Sequence, residues 1–132
     1  MDWLQAVAVY TAVAGVVMLL HECTHLAVAR FGRSYSVHVH PWIPFKLHLD
    51  FGSLPSTRLL RVIALAPLLV GIAVAVLAAQ AGIWGEISAV EPYYAHVLVA
   101  AYWLLYVVPS PADLRLALWP PTDPSGVPHK LQ

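Results

Sequence analysis

The sequence predicts a mainly α-helical membrane protein with three transmembrane helices and a cytoplasmic-side β-hairpin between helices one and two. Hydrophobic residues make up 60% of the 132 residues and charged residues only 11%, whereas a soluble domain is about 45–50% apolar and about 25% charged. The chain therefore has too little polar surface to cover a water-soluble globule. The formal net charge is zero, so no basic field attracts nucleic acid, and we expect the lipid bilayer as partner instead.

Three apolar stretches provide the predicted spans, each of which needs about 20 residues of helix to cross the hydrocarbon core. They cover residues 3–29, residues 62–84, and residues 93–108 extended by a short helix over 110–119. Residues 1–119 then form a single membrane-embedded core. Residues 120–132 are rich in proline, so we expect an extended or disordered tail.

The basic residues predict the orientation of these spans. The loop 85–92 has two acidic residues and no basic one, and all basic residues lie between the first two spans or beyond residue 108 of the third. The positive-inside rule then places the N-terminus and loop 85–92 outside, and the first loop and C-terminus in the cytoplasm. The residues that set this asymmetry are Arg30, Arg33, Lys46, Arg58, Arg61, Arg115 and Lys130.

The first loop alternates polar and apolar residues on both sides of a Pro-Trp-Ile-Pro turn. This period of two predicts an amphipathic hairpin within 34–51, with strands at about 34–40 and 45–51. His38 and His40 would share a face, with His48 across from them. These histidines are either surface polar residues or serve metal delivery, pH sensing or a regulatory ligand. A strand edge here could also hold an extended peptide.

The residues that carry chemistry lie near the end of the first span, where residues 21–25 read H-E-x-x-H. On a helix His21 and His25 lie one turn apart on the same face and can bind one ion. Zinc takes imidazole nitrogen at about 2.0–2.1 Å, and Glu22 can act as the general base that accepts a proton from water. Ionisable groups inside a span are costly and usually functional, so we predict a Zn²⁺ site. The alternative is a helix end whose polar groups reach the lipid headgroups.

Two imidazoles need a third protein ligand, and depth in the membrane favours Asp113. His21 is 18 residues beyond Trp3, and Asp113 is 20 residues beyond Tyr93. These separations correspond to about 27 Å and about 30 Å of helix, so both residues reach the cytoplasmic end of their spans. His96 lies near the outer end and is expected to be a packing or interfacial residue. The remaining candidates are in the hairpin: His38, His40, His48 and Asp50.

Asp113 also has a purely structural explanation. Ser110, Pro111 and Asp113 match the start of a helix, with Ser as the N-cap, Pro in the first position and an acid three residues after the cap. A carboxylate near a helix N-terminus is stable without a metal. Spacing alone therefore leaves both roles open, and they do not exclude each other.

A membrane H-E-x-x-H, a hairpin, a second span, and a third span ending in a proline-containing segment with an Asp resemble the site-2 protease superfamily of intramembrane zinc metalloproteases. The resemblance covers nearly all of residues 1–119. It implies a core of three transmembrane helices in which His21, His25 and Asp113 bind zinc and Glu22 is catalytic. The second motif of the family, N-x-x-P-x-x-P-L-D-G, is only partly matched by residues 106–115, which lack its Asn and its Gly. This variant is closer to small zincin-like membrane proteins of the same broad superfamily.

These observations lead to an expected function. We expect a multi-pass zinc metalloendopeptidase that cleaves a transmembrane or membrane-proximal peptide near the cytoplasmic face. The alternative is a non-catalytic membrane metal-binding or interaction protein that keeps the zincin-like fold. Glu22 separates the two, because a carrier should tolerate its loss and a peptidase should not.

Overall fold

The computed structural model describes residues 2–31, 35–39, 47–51, 55–89 and 94–121. The predicted mainly α-helical class is confirmed over these residues. The predicted turn of the hairpin and most of the predicted tail lie outside the described residues. The elements in chain order are α1 (Trp3–Ala29), β1 (Tyr35–Val39), β2 (Leu47–Phe51), α2 (Thr57–Ala64), α3 (Ala66–Gln80), α4 (Ile83–Ser88), α5 (Tyr94–Val107) and α6 (Pro111–Leu118).

Helix α1 coincides with the first predicted span and is long and apolar enough to cross a membrane. Its N-terminus is fixed by a capping box, in which Asp2 Oδ1 accepts a hydrogen bond from the Gln5 amide at 2.8 Å and Gln5 Oε1 accepts one from the Asp2 amide at 3.1 Å. At 27 residues, the helix has a rise of about 40 Å. Its buried residues, His21, His25 and Ala29, lie in the last third, so this end of α1 faces the rest of the protein.

The second predicted span, 62–84, is divided among three helices. Helix α2 starts at Thr57, where Ser56 Oγ caps the Leu59 amide at 3.3 Å, and it meets α3 at an angle of 58°. The break at Leu65 has a local cause, because Pro67 has no amide hydrogen and its ring clashes with the carbonyl four residues earlier. This pair is long and apolar enough to cross a membrane only if both helices count as one bent span.

The third predicted span is likewise bent, by 43° between α5 and α6. The predicted helix start is confirmed in detail. Ser110 is the N-cap, Pro111 occupies the first helical position, and Asp113 completes a capping box with Ser110. Helix α6 therefore begins where the sequence predicts, but its axis does not continue the axis of α5.

The two strands pair antiparallel, and residues 40–46 that link them are outside the described residues. In the register, the Cα atoms of His38 and His48 are partners, as are those of Ser36 and Asp50. Because side chains alternate between faces along a strand, these four positions share one face. The alternate positions of the two strands are apolar or aromatic in the sequence: Tyr35, Val37, Val39, Leu47, Leu49 and Phe51.

The helices pack so that the end of α1, helix α2 and the α5–α6 break lie side by side. Ala29, Leu60 and Ile63 form the buried cluster between α1 and α2. Arg61 Nε donates to Ala117 O at 3.1 Å and thereby ties α2 to the C-terminal end of α6. Tyr102 on α5 donates its hydroxyl to the backbone carbonyl of Tyr10 on α1 at 3.0 Å. These contacts bring the predicted site residues of α1 and α6 to one place.

Candidate metal centre

The three predicted metal ligands, His21, His25 and Asp113, meet in the folded chain. The Nε2 atoms of the two imidazoles are 3.1 Å apart. His25 Nε2 lies 3.5 Å from Asp113 Oδ1, and His21 Nε2 lies 3.7 Å from Asp113 Oδ2. One candidate ligand atom from each residue lies within 4.8 Å of the others. The arrangement therefore joins residues that are 92 positions apart in the sequence.

The second ring nitrogen of each histidine contacts a backbone carbonyl. His21 Nδ1 is 2.6 Å from Tyr106 O, and His25 Nδ1 is 2.6 Å from Ile63 O. A carbonyl oxygen only accepts, so each Nδ1 must carry the hydrogen and donate it. In the neutral imidazole, Nε2 then carries a lone pair. Both Nδ1–H groups are thus held in the way that orients metal-binding histidines in proteins.

This tautomer assignment has an electrostatic consequence. Two Nε2 lone pairs that face each other at 3.1 Å repel, and the Asp113 carboxylate adds negative charge beside them. The rings are almost fully buried, with 4% of His21 and 7% of His25 exposed, so water screens little of this repulsion. A cation or an added proton at the meeting point would relieve it.

The separations fit a zinc ion. Ligands at about 2.0–2.1 Å in a tetrahedral arrangement lie about 3.3 Å from one another. The two Nε2 atoms are 3.1 Å apart, and each lies 3.5 or 3.7 Å from a different oxygen of the Asp113 carboxylate. With one ligand atom from each residue, all separations are within 4.8 Å. Two imidazole nitrogens and one carboxylate oxygen also form a usual ligand set for catalytic zinc, with one position left for water or substrate.

Asp113 belongs to both the helix cap and the ligand group. Its Oδ2 accepts a hydrogen bond from the Ser110 amide at 2.8 Å, while its own amide donates to Ser110 Oγ at 3.2 Å. The other oxygen, Oδ1, is the one nearer to His25. The two roles that the sequence left open are therefore compatible in one side chain. The cap holds the carboxylate in place at the start of α6.

Sequence reasoning missed the contribution of Tyr106. Besides accepting from His21 through its carbonyl, Tyr106 places its hydroxyl 2.8 Å from Thr24 Oγ1. Because the Thr24 hydroxyl donates its hydrogen to Leu20 O at 2.8 Å, Tyr106 is the donor in the contact between the two hydroxyls. The residue thus attaches the end of α5 to the H-E-x-x-H turn at two points.

Glu22, the predicted catalytic residue, follows His21 on α1 and is half-buried. One residue further along a helix corresponds to a rotation of about 100°, so Glu22 lies on the face of α1 that adjoins the histidine face. That position suits a proton acceptor beside the site rather than a ligand. The neighbouring Cys23 is an exposed free thiol.

Of the other predicted candidates, only His96 has a described side chain, and it does not join this group. His96 Nε2 lies 2.6 Å from Ile87 O, so the ring links α5 to α4 and has the packing role that the sequence predicted. His40 lies outside the described residues, as do the side chains of His38, His48 and Asp50. Comparison with protein-family models, with curated proteins and with solved structures finds no match to this chain.

Proposed function

We propose that the chain is an intramembrane zinc metallopeptidase that hydrolyses a peptide bond in a transmembrane or membrane-proximal substrate. The observation that carries this proposal is the convergence of two Nε2 lone pairs and the Asp113 carboxylate on one point. The two imidazoles come from an H-E-x-x-H turn on a helix apolar enough to cross a membrane. The resemblance to the site-2 protease superfamily supports the same reaction class.

The residues of the site have distinct roles in this reaction. His21, His25 and Asp113 would hold Zn²⁺. When bound, zinc polarises the scissile carbonyl and lowers the pKa of water to about 7. Glu22 accepts the proton of the attacking water and delivers it to the leaving amine, as a general base and then a general acid. The carbonyls of Tyr106 and Ile63 keep both imidazoles in the tautomer that leaves Nε2 unprotonated.

The proposal includes a three-span arrangement in the bilayer. Helix α1 is the first span, the bent pair of α2 and α3 is the second, and the bent pair of α5 and α6 is the third. The basic residues put the N-terminus outside and the site near the cytoplasmic face. A helical substrate must unwind before its carbonyl can be attacked. The paired strands would hold the unwound segment by adding it as a further strand.

A non-catalytic metal-binding protein is the second candidate, and the burial of both imidazoles supports it. With 4% of His21 and 7% of His25 exposed, the site resembles an enclosed structural or carrier site as much as an open catalytic one. Both candidates require the metal, and only the peptidase requires Glu22.

The metal itself is tested by the zinc content of purified protein in detergent. We expect stoichiometric zinc in wild type after incubation with Zn²⁺ and dialysis, and loss of most of it in His21→Ala and Asp113→Ala, because each variant removes a ligand. His96→Ala is the matched control and should retain zinc, since its ring bonds Ile87 O instead. Wild type without zinc, or Asp113→Ala with undiminished zinc, would contradict the proposal.

Catalysis is tested by Glu22→Gln, with Glu86→Gln on α4 as control. The protein is reconstituted in liposomes with a panel of single-span reporter peptides, and new peptide termini are identified by mass spectrometry. We expect cleavage by wild type and Glu86→Gln, and no cleavage by Glu22→Gln at unchanged zinc content. Equal cleavage by both variants would exclude Glu22 as the general base. Zinc binding without cleavage of any reporter by wild type would favour the non-catalytic candidate.

A further inference from the structure

The carbonyl that holds His25 is available because of a proline. In a continuous α-helix, the carbonyl of Ile63 would accept a hydrogen bond from the amide four residues later. That residue is Pro67, which has no amide hydrogen. Ile63 O instead accepts from His25 Nδ1 at 2.6 Å. The Leu65 amide also points towards Ile63 O. Its hydrogen bond at 3.0 Å is to Arg61 O.

We propose that Pro67 is a positioning residue for the metal, which acts by leaving Ile63 O open to His25. The chain of contacts is short: Pro67 withholds an amide hydrogen, Ile63 O accepts from Nδ1, and Nε2 of the same ring then faces His21 and Asp113. This inference rests on the metal centre of the proposed function. It assigns to Pro67 a role beyond bending the helix between α2 and α3.

Burial makes this single acceptor important. Ile63 is 2% exposed and Pro67 is among the fully buried side chains. Water therefore cannot easily replace Ile63 O as the partner of Nδ1–H. If another amide occupied that carbonyl, His25 would either keep a buried donor without a partner or rotate to find one. A buried unpaired donor is costly, so the ring would turn and move Nε2 away from the other two ligands.

The partner of His21 is made available in a different way at the other helix break. The carbonyl of Tyr106 would accept from the Ser110 amide if α5 continued, but that amide donates to Asp113 Oδ2 at 2.8 Å. Tyr106 O is then open to His21 Nδ1. Each of the two bent helix pairs thus supplies one backbone carbonyl to one imidazole. The amide hydrogen that would bond Ile63 O is missing at Pro67, and the one that would bond Tyr106 O is donated to Asp113 instead.

The experiment compares two changes at position 67 that differ in a single hydrogen-bond donor. Pro67→Ala introduces an amide hydrogen, whereas the α-hydroxy acid analogue of alanine, incorporated as a backbone ester, removes the ring without adding a donor. Zinc affinity is measured in detergent by competition with a chromophoric chelator. We expect Pro67→Ala to lose about 10- to 100-fold in affinity, the usual effect of disturbing a group that orients a ligand. The ester analogue and the control Pro55→Ala should keep wild-type affinity.

A second readout needs neither zinc nor activity. In metal-free protein with ¹⁵N-labelled histidine, the Nδ1–H resonance of His25 should be shifted downfield by its short hydrogen bond. It should move upfield or vanish in Pro67→Ala and persist in the ester analogue. Unchanged affinity and resonance in Pro67→Ala, or equal losses in both changes at position 67, would overturn the proposal. If Pro67→Ala does not fold, the ester analogue alone is compared with wild type. Wild-type zinc affinity and an unchanged His25 resonance then support the proposal, and loss of both overturns it. Failure of wild type to bind zinc is a different result and counts against the metal centre itself.

Discussion

Each imidazole in the centre uses its two ring nitrogens for different tasks. In His21 and in His25, Nδ1 donates to a backbone carbonyl at 2.6 Å, and Nε2 faces the other ring and the carboxylate. The carbonyls fix the tautomer without a metal, so both Nε2 lone pairs point to the place of the proposed ion. The two hydrogen bonds satisfy the buried Nδ1–H groups, and the facing Nε2 lone pairs leave a place for a cation.

Asp113 belongs to the cap of α6 and to the proposed metal centre. We expect Ser110→Ala to lower the free energy of unfolding by about 1 kcal/mol, the usual cost of losing a helix cap. It should also weaken zinc binding by about tenfold, because the Asp113 amide loses its bond to Ser110 Oγ and the first turn of α6, which positions the carboxylate, is held less firmly. The bond from the Ser110 backbone amide to Asp113 Oδ2 remains. Thermal unfolding in detergent and chelator competition measure the two effects.

Ser56→Ala is the matched control for this prediction. Ser56 caps α2 through the Leu59 amide in the same way as Ser110 caps α6, but it has no contact with the carboxylate. It should cost a similar amount of stability and leave zinc affinity unchanged. If both variants weaken zinc binding equally, the link between the α6 cap and the metal centre is wrong.

The sequence could predict His21, His25 and Asp113 but not the groups that orient them. The spacing of the two histidines is a property of one helix turn, and the depth of Asp113 follows from counting residues along a span. Tyr106 and Ile63 act through backbone carbonyls that are 85 and 38 residues away from their histidines. Backbone carbonyls look alike in every sequence, so only the tertiary packing shows which of them meet an imidazole.

At the level of elements, the helix breaks are the main difference between the predicted and the observed fold. Counting apolar residues predicts one span over 62–84, and the structure bends it by 58° between Ala64 and Ala66. Pro67 signals a break in the sequence, but the angle depends on what packs against both halves. By contrast, Ser110, Pro111 and Asp113 are a local signal, so the start of α6 was predictable to the residue.

Helices α3 and α5 pack closely at Gly71, which gives a test of how the elements fit together. A Cβ atom at Gly71 would overlap Val107 Cγ1 and lie 3.2 Å from Val107 Cβ. Val107 is buried, so little room is left for its side chain to move away. We expect Gly71→Ala to destabilise the protein by about 1–3 kcal/mol in detergent unfolding, the usual effect of overpacking a core.

Two further variants check this explanation. Gly85→Ala in α4 meets no atom within 4 Å, so it should be neutral or stabilise by up to about 1 kcal/mol, because alanine suits a helix better than glycine. Adding Val107→Ala to Gly71→Ala should recover part of the lost stability. Equal effects of Gly71→Ala and Gly85→Ala would show that the contact between α3 and α5 is not the cause.

At the level of the whole molecule, the apolar surface of the helices agrees with a membrane environment. Large hydrophobic side chains remain exposed along α1 and α3, among them Leu4, Val16, Leu20, Leu69 and Leu77. In water, such an apolar surface would be prone to association with other molecules, whereas in a bilayer the lipid chains cover it. Composition predicted this property directly, because it depends on the number of apolar residues and not on how they pack.

The proposed orientation is tested by labelling single cysteines with a membrane-impermeant maleimide. The native thiol is first removed by Cys23→Ser, since Cys23 is exposed. Glu86→Cys in α4 should then react on intact cells, and Arg58→Cys in α2 only after the membrane is opened, because the proposed orientation puts the basic loop in the cytoplasm. Labelling of both positions from the same side would rule out the three-span arrangement.

The most direct test of the metal centre is the zinc X-ray absorption spectrum of the loaded protein. The two Nε2 atoms and the carboxylate predict two imidazole nitrogens at about 2.0–2.1 Å together with oxygen ligands. In His25→Ala the fitted number of imidazoles should fall to one. A wild-type spectrum without imidazole scattering, or one that His25→Ala leaves unchanged, would contradict the assignment of this centre.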